Sequence, residues 1–215
     1  MKTNFHRFAN GGLTVVEMLV VVACVVILTA LVLPMRSTPS RSPRTSCMNN
    51  VRILGIDLLI YAADNHGKFP IRTSITNGGT MEYLERNQTF PHYQKLSADT
   101  HLLPFLVCPA DKTRKAAASF TNLTDTNISY CLNADVSNSF QSIMTSDRQL
   151  QVNGQPVRHG TLVLATNMDI GWMPKQHMGG GVLGFADGHA EFCRGKDLNS
   201  IIQRQGLATN RFSVP

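Results

Sequence analysis

Leu13 to Leu33 is a run of 21 residues carrying one charge, Glu17, with Gly11 and Gly12 directly before it. At ~1.5 Å per residue, a helix of that length spans the ~30 Å hydrocarbon core of a bilayer. The pattern predicts a transmembrane helix over 13–34. Positions 35–46 change character and become rich in serine, threonine and arginine, with Pro39 and Pro43 among them. Each proline removes a backbone donor and disfavours helix at the residue before it, so this stretch reads as a linker with a break or kink. Apolar periodicity resumes at Cys47. Val51, Leu54, Leu58 and Tyr61 fall on one helical face. Ile53, Ile56 and Ile60 widen it, which predicts a helix covered on most sides. Ser46 is the expected N-cap, and Gly67 closes the helix where Asp64-Asn65-His66 ends it.

Residues 71–127 are polar, with weak periodicity of either kind, and contain a tight turn at Val107-Cys108-Pro109-Ala110-Asp111. Ile128–Leu132 and Thr161–Ala165 read as short strands. Gly181–Ala186 and His189–Cys193, joined by Asp187-Gly188, read as a β-hairpin. A two-residue Asp-Gly loop predicts a type I′ turn with both central residues at positive φ. Leu183 and Phe185 share one face, as do Ala190 and Phe192. A short helix over Leu198–Arg204 follows, with Asp197 as N-cap and Gly206 as its stop. The expected fold class is α+β: the spanning helix, then a helix packed on a small antiparallel sheet built partly from 181–193.

The chain has 215 residues, and the part beyond residue 34 (about 180) is long enough for one domain with a substantial core. Lys plus Arg number 20 against 14 Asp plus Glu. Arg36, Arg41, Arg44 and Arg52 form the one notable basic cluster; it could meet lipid phosphates or nucleic acid, and solvation is the favoured account. Cys24 lies in the apolar run and reads as a small packing residue. Cys47, Cys108, Cys131 and Cys193 permit three disulfide pairings, among which the sequence does not choose. No C-x-x-C occurs, which argues against a zinc site.

A carboxylate inside a membrane segment costs roughly 2.5–3.5 kcal/mol at mid-helix and less near an end, so Glu17 calls for a partner. A secretory signal peptide fits poorly, because its apolar core would be about 7–15 residues with a small-residue cleavage site after it. A plain single-pass anchor explains the length but neither Gly12 nor Glu17. The flanking charges, Lys2 and Arg7 before the run and Arg36, Arg41, Arg44 and Arg52 after it, taken alone favour the amino terminus outside.

Gly12-Leu13-Thr14-Val15-Val16-Glu17-Met18-Leu19-Val20 resembles the amino-terminal region of type IV pilins and type II secretion pseudopilins. The resemblance implies a leader, residues 1–12, removed by a prepilin peptidase between Gly12 and Leu13. It implies N-methylation of Leu13, with Glu17 as fifth mature residue and Pro34 as twenty-second. The family usually begins with phenylalanine where this chain has Leu13, and its first helix generally continues where this chain has Pro39 and Pro43. Loss of Lys2 and Arg7 with the leader leaves a mature charge of +4. Cleavage would create an ammonium at a helix start, and in lipid that charge and the Glu17 carboxylate of a neighbouring subunit neutralise each other. The segment from Cys47-Met48-Asn49-Asn50 to Lys68-Phe69-Pro70 resembles a second block of one bacterial pseudopilin-like family, as does the Cys-Pro-x-Asp turn. That family ends in an H-x9-D-G motif, matched here by His177, Asp187 and Gly188.

The resemblance implies a non-enzymatic filament subunit with residues 47–215 as a pilin-like periplasmic domain. Its implied place is the bacterial inner membrane, single-pass. Its implied partners are the prepilin peptidase, other pilin-like subunits, inner-membrane lipid and the secretion or pilus machinery; nucleic acid is not expected. No cofactor is expected. Calcium would follow by analogy with pseudopilins, but no D-x-D-x-D-G pattern supports it. Two rivals stand beside this reading: a membrane-anchored metal-dependent hydrolase using His177, Asp187 and His189, and a DNA-uptake pilin using the arginines. Phosphate-loop, zinc-protease and serine-hydrolase motifs do not occur in the sequence.

Overall fold

The computed structural model describes residues 14–32, 42–96, 100–137, 139–174 and 177–215. The chain divides into two compact units, residues 1–40 and 41–215. In the first, α1 runs over Val15–Val32. Its side chains are exposed from Val15 to Ala30; the consecutive residues Val25, Val26, Ile27 and Leu28 all are, so no side of that stretch faces a core. Among the described residues no helix is long and apolar enough to cross a membrane. The helical part of the apolar run has 18 residues, ~27 Å of helix against a ~30 Å bilayer core. Leu13, Leu33, Pro34 and the expected break near Pro39 lie outside the described residues.

In the second unit, α2 spans Pro43–Asp64, with Ser42 rather than Ser46 at its N-cap. Pro43, one of the two prolines behind the expected break or kink, does not interrupt a helix. It sits instead at the first helical position, where the missing N–H is not needed and the fixed φ suits the helix. Cys47, Val51, Leu54, Leu58 and Ala62 are buried on one face, while Ile56 and Ile60 are exposed, so the helix is covered on one side and not on most.

The face of α2 lies on a six-stranded antiparallel sheet. Its strands are β1 (Tyr130–Asn133), β2 (Ile143–Asp147), β5 (Gly160–Ala165), β7 (Gly180–Phe185), β8 (Ala190–Arg194) and β9 (Thr209–Val214), in the order β5-β9-β1-β2-β7-β8. Close approach of helix to sheet depends on Gly184 of β7: a Cβ there would stand 2.7 Å from both Val51 Cγ1 and Thr145 Cγ2. The opposite face of the sheet carries a second core, of Leu183, Phe185, Cys193, Phe212 and others. It is closed by α4 (Gly195–Arg204) and a small sheet of β3 (Leu150–Val152), β4 (Gln155–Pro156) and β6 (Ile170–Trp172). Helix α4 starts at Gly195 with Arg194 as N-cap, ahead of the expected Asp197. Leu183 and Phe185 therefore face one core, and Ala190 and Phe192 the other.

Between α2 and β1 the chain forms short 3-10 turns and one five-residue helix, α3 (Phe90–Gln94). Polar composition hid a core contribution here: Phe69, Ile71, Tyr93, Leu102, Leu106 and Leu123 are buried against α2 and the sheet. The architecture is α+β, with amino-terminal helices followed by antiparallel sheets.

Candidate functional site

The sequence directs attention to the start of α1. Gly12 and Leu13 lie outside the described residues, but Glu17 does not. Its carboxylate accepts the Thr14 backbone N–H at 2.7 Å and the Thr14 hydroxyl at 2.9 Å. The Glu17 N–H in turn reaches Thr14 Oγ1 at 3.3 Å, and the Thr14 carbonyl accepts the first helical bond, from Met18. Thr14-Val15-Val16-Glu17 is thus a reciprocal capping box, a local role for Glu17 that its position four residues after Leu13 did not suggest.

The second focus is Asp187-Gly188. The Phe185 N–H donates to the His189 carbonyl at 3.0 Å, and the Gly188 N–H to the Phe185 carbonyl at 2.9 Å. Gly188 has φ 86°, whereas Asp187 is not among the positive-φ residues. The loop is a three-residue type I turn closed by a glycine bulge, and not the expected type I′ turn. Asp187 accepts the His189 N–H at 3.0 Å and pairs with its imidazole, which stacks on Phe185. These contacts are local to the turn.

His177, nine residues before the turn, goes elsewhere. It precedes β7 with φ 46°, followed by Met178 at 57° and Gly179 at 81°. Left-handed backbone at two successive non-glycine residues costs on the order of 1–3 kcal/mol each. The conformation carries the ring inward, and its side chain is only 2% exposed. Nε2 lies 3.3 Å from Cys108 Sγ and 3.7 Å from Asp147 Oδ2. Cys108 is disulfide-bonded to Cys47 of α2, which resolves the pairing that sequence left open. Cys131 and Cys193 are free and buried, and Cys24, expected to be packed, is exposed.

Ligand atoms of Cys47, Cys108, Asp147 and His177 all lie within 4.8 Å of one another. Among the described residues this is the one group of three or more such side chains arranged to hold a metal; Asp187 and His189 do not join it. The four donors come from α2, the Cys108 turn, β2 and the segment before β7, one from each, an assembly that no short sequence spacing marks.

Asp147 is the unexpected member. It ends β2 and is 1% exposed. Oδ2 accepts the Val182 N–H at 2.8 Å, while Oδ1 has no hydrogen-bond partner. The neighbouring cation, Arg148, is spent on Asp111, its Nε 2.8 Å from Oδ2. Burial, reinforced by the charge of Asp111, pushes the Asp147 carboxyl up to about 7. Burial, with the charge of Arg44, lowers His177 and favours neutral imidazole. Arg44 stacks over Phe192 at 4.1 Å, and Phe192 meets the His177 ring edge-on. Of the basic cluster, Arg36 and Arg41 lie outside the described residues.

Comparison with known proteins finds no matching family model, no matching curated protein and no matching solved structure.

Proposed function

We infer that this chain is a prepilin-like structural subunit of a pseudopilus or pilus-related filament, cleaved after Gly12 and N-methylated at Leu13. The observation that carries the reading is α1. An 18-residue helix with apolar side chains exposed on all sides needs an apolar surrounding, and its large exposed residues run from Val15 to Leu28. Its polar side chains close on themselves: Glu17 on Thr14, and the Thr29 hydroxyl on the Val25 and Val26 carbonyls at 2.9 Å. Such closure suits a helix with no water beside it.

In this reading the run 13–33 rests in the bacterial inner membrane before assembly, with residues 47–215 in the periplasm, and α1 helices of neighbouring subunits then bundle. The freed Leu13 ammonium of one subunit meets Glu17 of the next, whose charge the capping bonds do not neutralise. The prepilin peptidase, fellow subunits and the secretion or pilus machinery are the partners, and the role is non-enzymatic. The hydrolase reading gains no support, since His177 is not gathered with Asp187 and His189.

The test is the mass of the native amino terminus together with assembly of Glu17→Gln. The expected mature chain starts at Leu13 and is heavier by one methyl. Glutamine keeps an acceptor for Thr14 but not the charge, so the helix cap survives and assembly fails. A chain retaining Met1 beside an active peptidase, or filaments of Glu17→Gln at wild-type yield, refutes the reading.

A further inference from the structure

We propose that Cys47, Cys108, Asp147 and His177 form, when the disulfide is reduced, a binding site for one thiophilic divalent cation of the zinc class. The proposal does not depend on the filament reading. A disulfide alone requires neither of its two neighbours. Asp147 places a carboxylate beside the sulfurs at 1% exposure, with Oδ1 lacking any hydrogen-bond partner. A buried unpaired carboxylate oxygen is costly and calls for a cation or proton. His177 is carried there by a left-handed segment, and its Nε2 points between a sulfur and that carboxylate.

Two of the donor spacings fit a tetrahedral centre; the two sulfurs, bonded to each other in the oxidised chain, must part on reduction to complete it. Zinc bonds of about 2.3 Å to sulfur and about 2.0–2.2 Å to nitrogen and oxygen give donor-to-donor edges of roughly 3.3–3.8 Å. The sulfur-to-imidazole and imidazole-to-carboxylate distances are 3.3 and 3.7 Å. The same Nε2 faces both neighbours, which suits convergence on a central ion; a relay from carboxylate through imidazole to sulfur would use both ring nitrogens. Two thiolates, one imidazole and one carboxylate are a zinc-type set, whereas calcium wants oxygen donors. The Val182 N–H on Asp147 would orient the carboxylate from behind.

The chemistry balances. Two electrons and two protons from a dithiol reductant cleave the Cys47–Cys108 bond to two thiols, and the dithiol becomes its own disulfide. The cation then displaces both thiol protons to solvent. A small-molecule disulfide reverses this: it takes two electrons from the thiolates and two protons from solvent, is itself cleaved to thiols, and the ion is released, so disulfide and metal are alternative closures of one site.

The experiment uses the full chain in detergent, reduced with dithiothreitol, desalted under argon and titrated with cobalt(II), then zinc. Expected are one equivalent of cobalt with thiolate charge-transfer and tetrahedral d–d absorption, displacement by zinc, and no binding by the oxidised chain. His177→Ala weakens binding by at least the roughly 10- to 100-fold seen for loss of supporting partners. The Asp187→Ala/His189→Ala double variant binds like the wild type. If reduction unfolds the chain, recovery of native circular dichroism on adding zinc supports the site, and no recovery overturns it. It is overturned as well by a folded, fully reduced chain without the thiolate band, or by unchanged cobalt affinity and spectrum in His177→Ala.

Discussion

Reducing the Cys47–Cys108 bond under a chelator isolates what that single link contributes. The two cysteines are 61 positions apart. A cross-link closing a loop of that size removes about 14 cal/mol/K from the unfolded chain in the loop-entropy treatment, or about 4 kcal/mol at 25 °C. The enclosed segment contains most of α2 and the 3-10 turns up to Leu106, whose order depends on side chains packed against the sheet more than on regular backbone ladders. The stabilisation should therefore appear almost undiminished. Trp172 is the only tryptophan and is buried in the second core, whereas Cys47 and Cys108 belong to the first, so its emission reports global unfolding of the domain. With a urea slope of about 2 kcal/mol/M, the midpoint should fall by about 2 M on reduction. Adding zinc to the reduced chain at about 100 times its dissociation constant should restore about 2.7 kcal/mol. A loss below about 1 kcal/mol on reduction would refute the loop argument, since it would mean that the unfolded chain already holds those ends together.

Two further perturbations probe the core. His92 is fully buried, its Nδ1 2.7 Å from Thr80 Oγ1 and its Nε2 without a hydrogen-bond partner, and burial pushes the imidazole down to about 4. Because the folded value lies below the unfolded one of about 6.5, the contribution is complete above pH 6.5 and lost on acidification, by about 2 kcal/mol at pH 5. Urea midpoints of wild type and His92→Gln should converge or cross between pH 7.5 and 4.5, and parallel curves would refute this. Gly184→Ala sets a methyl 2.7 Å from Val51 and Thr145 and should cost about 1–3 kcal/mol by the same assay; a neutral result would mean that α2 does not sit so close to β7.

Local patterns were legible where local physics decides them. The long apolar run became α1; Val51, Leu54 and Leu58 lie on the buried face of α2, although Tyr61 is only half-buried and the helix is not covered on most sides; and the turn after Phe185 closed a hairpin. Pro43 misled because proline breaks a helix interior and also starts one, and only the helix boundary distinguishes the two. Strand β9 went unread because Thr-Asn-Arg-Phe-Ser-Val is too polar to resemble a central strand. It sits between β5 and β1 all the same, with two of its polar side chains met by tertiary partners: Arg211 pairs with Asp135 at 2.6 Å and Ser213 meets Thr89 at 2.8 Å, while the buried Asn210 side chain makes no hydrogen bond.

The candidate site failed to show in the sequence for a related reason. His177 stands out in the sequence by its nine-residue spacing from Asp187-Gly188, and the rival hydrolase reading grouped it with Asp187 and His189. In a hairpin that spacing has a simpler cause: the inward-turned segment and the tight turn lie at opposite ends of β7, so strand length alone fixes the interval between them. What His177 meets is set by the sheet and by α2. Asp147 lies at the end of the neighbouring strand, and Cys47 comes from the helix above. No spacing rule links residues 47, 108, 147 and 177. The physical mark of the site is the carboxylate oxygen of Asp147, buried without a partner, which becomes visible only once the chain is folded.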